Sequence, residues 1–123
     1  LNSIHRYGLY KLYLCHRISQ LDALVLDTEI YGKIEVSELY KLEADTLRLA
    51  VGVVQLQIET DQSDSDALTQ LYKQVSEYIR TALMYHREAD RLYTLCSGEV
   101  ESEEVLIENE EVLIESEEVH TPN

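Results

Sequence analysis

The chain has 123 residues, 45% of them hydrophobic and 28% charged, with a formal net charge of -14. A chain of this length can support one domain with its own hydrophobic core, without metals or disulfides. No stretch approaches the roughly eighteen apolar residues of a membrane span, and the opening LNSIHRYG lacks the charged and apolar regions of a signal peptide.

The acidity is unevenly placed. Residues 1–98 carry 14 Asp and Glu against 10 Lys and Arg, a balance of -4, and residues 99–123 carry the other 10 acids with neither Lys nor Arg. Carboxylates in that number repel phosphate, which argues against direct binding of DNA or RNA. Nine Tyr and no Phe or Trp make up the aromatic set. A phenol needs a hydrogen-bonding partner, so these rings suit the edges of a core or an interface.

The first predicted element is a helix over about 3–30, with Tyr7, Tyr10, Leu14, Ile18, Leu21 and Val25 on one face and Gly32 as its stop. The second is a helix over about 37–60, with Ser37 as N-cap and Tyr40, Ala44, Leu47, Val51, Val54 and Ile58 along one side. Within it LAVGVVQLQIE is β-branched, contains Gly52 and alternates at its end, so a strand over about 47–59 stays the alternative. Glu43 and Asp45 read as its solvated face. The third helix, about 64–97, has the clearest pattern: Leu68, Tyr72, Val75, Ile79, Ala82, His86, Ala89, Tyr93 and Cys96 follow one another in steps of four and three. A flanking row of Leu71, Tyr78, Tyr85 and Leu92 widens that stripe. Ser63 and Asp66 form the acidic variant of a capping box, and Gly98 is placed to end the helix.

Short connections between three long helices give an all-α, up-down-up three-helix bundle, followed over 99–123 by an acidic, extended repeat tail. The apolar stripes are wider than one bundle seam needs, which calls for a further partner against them, with Tyr72, Ile79, His86 and Tyr93 as seam or interface residues. Cys15 and Cys96 fall near opposite ends of the bundle, outside any ligand-spaced cluster. They read as buried free thiols in an intracellular, reducing compartment.

Catalytic signals are sparse. His86 and Asp90, four residues apart, share a helix face and could make half of a metal site if His5 or His16 converged on them; a core or interface histidine is the simpler reading. Arg80 and His86 in RTALMYH resemble the spaced Arg and His of the HEPN helical ribonucleases, with Thr81 where that family usually carries a larger polar residue. The resemblance implies a cleavage site assembled across a dimer. No glycine-rich phosphate loop, nucleophile elbow or cysteine–histidine motif occurs, so the expectation is a protein that is not an enzyme and needs no cofactor or metal.

In the tail, EEVLIE occurs twice at a seven-residue interval. Its apolar residues are adjacent instead of three or four apart, so the repeat lacks a coiled-coil seam. A run of glutamates without lysine also opposes a helix. Val105, Leu106, Ile107 and Glu108, and again Val112, Leu113, Ile114 and Glu115, suit short extended segments that add to the edge of a partner's sheet. Each copy resembles a SUMO-interacting motif, which implies that mode of binding with the acids facing basic residues. A disordered, solubilising tail is the simpler alternative. Taken together, the pattern points to a helical assembly subunit or adaptor, in a homo- or hetero-oligomer, whose tail engages a protein with a basic or sheet-edge surface. An acidic nucleic-acid mimic is the competing class; it needs carboxylates over the whole surface, whereas here they are concentrated in the tail.

Overall fold

A computed structural model describes residues 2–97, and within them the chain forms three α-helices: α1 Ser3–Ile30, α2 Ile34–Glu59 and α3 Ser65–Ser97. The expected tail contacts Val105 to Glu108 and Val112 to Glu115, and the stop at Gly98, lie outside the described residues.

Each helix end has an identifiable cause. Asn2 caps α1, its side chain accepting from the backbone N–H of His5 at 2.8 Å. At the other end Gly32 takes φ +73°, the left-handed conformation that costs a residue with a Cβ. The Gly32 N–H then reaches the Glu29 carbonyl and the Lys33 N–H the Thr28 carbonyl, at 3.0 and 2.8 Å. This is the Schellman pattern that satisfies the last carbonyls of a helix.

Two expected caps are corrected. α2 starts at Ile34 after Lys33, and Ser37 sits inside its first turn, fully buried, with its hydroxyl 3.3 Å from the Glu29 carboxylate. The tight Gly32 turn leaves no room for the extra loop residues that a start at Ser37 would need. At α3 the cap is Asp64, whose carboxylate accepts from the Ala67 N–H at 3.1 Å, in place of the Ser63 and Asp66 box. Ser63 instead closes a turn on Asp61.

The β-branched stretch of α2 is helical throughout. Its alternation is not used: Gln57 is buried while Leu56 is 49% exposed, the reverse of what a strand with Leu56 and Ile58 inward would give. Burial of Ala50, Val53, Val54 and Gln57 follows the helical period, so packing overrides β propensity here.

The order of contacts fixes the topology. Lys11 meets Gln55, Asp22 meets Arg48 and Glu29 meets Lys41, so α1 and α2 are antiparallel. Glu43 meets His86 and Lys33 lies 4.0 Å over the Tyr93 ring, so α2 and α3 are antiparallel as well. Both outer helices pack on α2, and the backbones of α1 and α3 nowhere approach within 8 Å. α2 is therefore the middle helix, with α1 and α3 standing apart on either side of it.

The core comprises Leu14, Leu21 and Val25 of α1, Val36, Tyr40, Ala44, Leu47, Ala50, Val53 and Val54 of α2, and Val75, Ile79, Ala82 and Ala89 of α3. Fully burying one such aliphatic side chain stabilises the fold by about 1.5–3 kcal/mol. The wide stripes have their consequence outside: Leu42, Leu49 and Leu56 on α2 are all exposed, as are Leu9, Leu12, Leu26 and Ile30 on α1. Cys15, expected to be buried, is exposed and free, because one residue beyond Leu14 turns it about 100° away from the core. None of the described helices is long and apolar enough to cross a membrane.

Candidate functional site: a buried charge relay beneath a two-helix groove

The least expected feature of the interior is a chain of ionisable side chains running across all three helices. Glu43 of α2 is 3% exposed; one carboxylate oxygen lies 2.8 Å from His86 Nδ1 of α3, and the other lies 3.6 Å from the Arg17 guanidinium of α1. On the far edge of the ring, His86 Nε2 is 3.2 Å from Asp90 Oδ2, itself 4% exposed as a residue. Tyr40 is tilted against the imidazole at 6.4 Å between centroids.

The imidazole thus stands between two carboxylates. An imidazolium can donate at both nitrogens, whereas a neutral ring can donate at one only. A cation on one carboxylate would be separated from the other by the ring, and among the described residues no group of three or more His, Cys, Asp or Glu could hold a metal ion. His5 and His16, considered above as co-ligands, are exposed on α1. Arg80 is exposed and His86 buried, on different sides of α3, so the two residues that resemble the ribonuclease pair are not brought together within one chain.

Two members of this relay escaped the reading of the sequence. The sequence pattern puts Glu43 on a solvated face, whereas it is buried at 3% exposure. The signal was present: Val36, Tyr40, Glu43, Leu47, Ala50 and Val54 run in steps of four and three, so an acid occupies a seam position. Arg17 gave less warning, since it flanks the α1 stripe and reaches inward by the length of its side chain. Of the expected seam residues, Ile79 and His86 are buried, and Tyr72 and Tyr93 are partly so.

Above the relay lies the groove left between α1 and α3. Tyr10, Tyr13, Leu14 and Arg17 face Ile79, Ala82 and Leu83 across a floor made by Glu43 and Leu47. Tyr10 and Tyr13 are stacked, with ring centroids 6.1 Å apart. The closed part of the groove holds about 30 Å³, room for one water and far below the ~300–1,000 Å³ of a small-molecule site. A shallower depression of about 180 Å³ on α3 is lined by Tyr72, Lys73, Ser76, Glu77 and Arg80.

Among known proteins, no family model, no curated protein and no solved structure matches this chain.

Proposed function

We propose that this protein is a non-enzymatic helical assembly subunit or adaptor, and that it associates through the outer face of α2. The observation that carries this reading is the exposure of Leu42, Leu49 and Leu56, at 44%, 56% and 49%, once every seven residues along one helix. Three leucines in register on a solvent face lose stabilisation when left in water, and a second helix laid along them recovers it. The row is symmetric about Leu49, so a second copy running antiparallel meets it with the same three residues, as a two-fold interface requires. Gly52 beside it is open, with nothing within 4 Å of where a Cβ would stand.

The chemistry of the interior supports a structural role. His86 Nδ1 is hydrogen-bonded to the Glu43 carboxylate, Nε2 lies 3.2 Å from Asp90 Oδ2, and the groove holds only about 30 Å³. The tail adds a second means of contact: its glutamates set a basic surface as the partner, and its two Val-Leu-Ile clusters suit a sheet edge.

Sedimentation equilibrium over a range of concentrations tests the reading. The intact chain is expected to dimerise and Leu49→Glu to remain monomeric with unchanged helicity. A monomer at all concentrations, or a dimer indifferent to Leu49→Glu, overturns assembly through α2.

A further inference from the structure

The outer face of α1, on the side opposite the buried Leu14, Leu21 and Val25, carries the spacing of a helix seam. From His5 to Ile30, every residue reached in alternating steps of four and three is exposed, and none is Asp, Glu, Lys or Arg. Leu9 and Leu12 make one apolar patch of this row, at 48% and 67% exposure, and Leu26 and Ile30 make another, at 62% and 77%. His16, Ser19 and Ala23 stand between them, so the middle of the row is polar or small. Large aliphatic side chains aligned on one face lose stabilisation in water, and a helix laid along them recovers it.

The row itself identifies that helix. Its spacing reads the same from either end, so a second α1 running antiparallel sets Leu9 against Leu26 of the second copy, Leu12 against Ala23 and His16 against Ser19. Apolar meets apolar, and the larger side chain of each remaining pair meets a small one. Charge selects the same direction. Residues 1–21 contain Arg6, Lys11 and Arg17 and no acid, whereas residues 22–30 contain Asp22, Asp27 and Glu29 and neither Lys nor Arg. Arg17, Asp22 and Glu29 are paired within the chain, but Lys11 is bonded to the neutral amide of Gln55 and Asp27 is exposed, so each half keeps its sign. Antiparallel copies lay the basic half on the acidic half; parallel copies set like on like.

We infer that α1 is a second two-fold contact, through which copies of this chain pair antiparallel along the row from His5 to Ile30. This goes beyond assembly through α2: a protomer with two different two-fold faces joins α2 dimers to one another and builds more than a dimer. Polar residues at the centre of a seam fix its register at a cost in stability. The single contact is therefore weak, so Leu49→Glu sediments as a monomer while chemical coupling, which accumulates transient encounters, still traps it.

Coupling through Cys15 tests the contact. Cys15 is exposed and flanks the row beside His16, and Cys96→Ser leaves it as the only thiol of the chain, so any product joins two copies. The antiparallel register sets Cys15 opposite Gln20 of the second copy. The two thiols then lie about 7.5 Å apart along the axis and one helix spacing of about 8–10 Å apart across it, within reach of a short bismaleimide. The linked dimer is expected to form, to fall about tenfold with Leu12→Glu at unchanged helicity, and to fall as NaCl is added. No product above that of the urea-unfolded chain, or a yield indifferent to Leu12→Glu, overturns pairing through α1 and leaves the face to another protein. A yield that rises with NaCl overturns the antiparallel direction. A product lost in Leu49→Glu belongs to α2 and overturns the inference as well; one retained there stands whatever sedimentation shows for α2, so the two readings fail separately.

Discussion

Replacing Glu43 by Ala is the sharpest probe of the interior. The carboxylate is withdrawn from water, lies 2.8 Å from His86 Nδ1, and has Arg17 3.6 Å away on its other side. Truncation removes the acceptor and leaves a buried ring nitrogen and a guanidinium without it. Breaking a buried charged pair from one side costs about 3–5 kcal/mol. For a domain of this size that lowers Tm by roughly 12–20 °C, taking about 4 °C per kcal/mol. Replacing both ends, Glu43→Ala with His86→Ala, should cost less than the sum of the two single losses, because the second truncation removes the ring nitrogen that the first leaves unpaired. Urea unfolding followed by far-ultraviolet circular dichroism measures all four corners of the cycle. If Glu43→Ala stays within about 1 kcal/mol of the parent, or if the double variant loses the sum of the two single losses, the relay is not a coupled unit.

Three further outcomes follow from the fold. Leu21 is wholly buried, so Leu21→Ala should cost about 2–5 kcal/mol in the same urea titration. Gly32→Ala forces a Cβ into a backbone at φ +73° and should cost about 1–2 kcal/mol by thermal melts, although nothing crowds the position. Glu29 is held below its ordinary value by hydrogen bonding to Lys41, which is itself raised by Glu29. A carboxylate lowered in the folded state contributes stability above its unfolded pKa and loses it as pH falls through the folded one. Glu29→Gln should therefore lower stability slightly at neutral pH and leave it unchanged at low pH, which flattens the acid limb of stability against pH in equilibrium melts.

Much of this architecture is legible in the residues because the strongest signals coincide. In α3 the steps of four and three run from Leu68 without a break, and Gly32 marks the end of α1 through a conformation that glycine adopts at least cost. Helix starts are harder to read, since Ser37 and Ser63 are both good cap residues, and the choice was made by the tight Gly32 turn and by Asp64. β propensity misleads in α2, where Val53 and Val54 satisfy a helical burial pattern. The relay is the least legible part. Glu43 looks like any surface glutamate until its place in the Tyr40 to Leu47 seam is counted, and its partners come from two other helices, which no local pattern connects.

The middle position of α2 has a kinetic consequence. The molecule consists of two helical hairpins that share one helix, and each closes through a short connection, at Tyr31 to Lys33 and at Thr60 to Asp64. Most native contacts therefore join segments close in sequence, the topology that folds fastest. Either hairpin can form first and offer α2 as a template to the remaining helix. The outer helices, each held on one side, open before the helix they share, so amide exchange should be slowest in α2 and report on the opening of α1 and α3 separately.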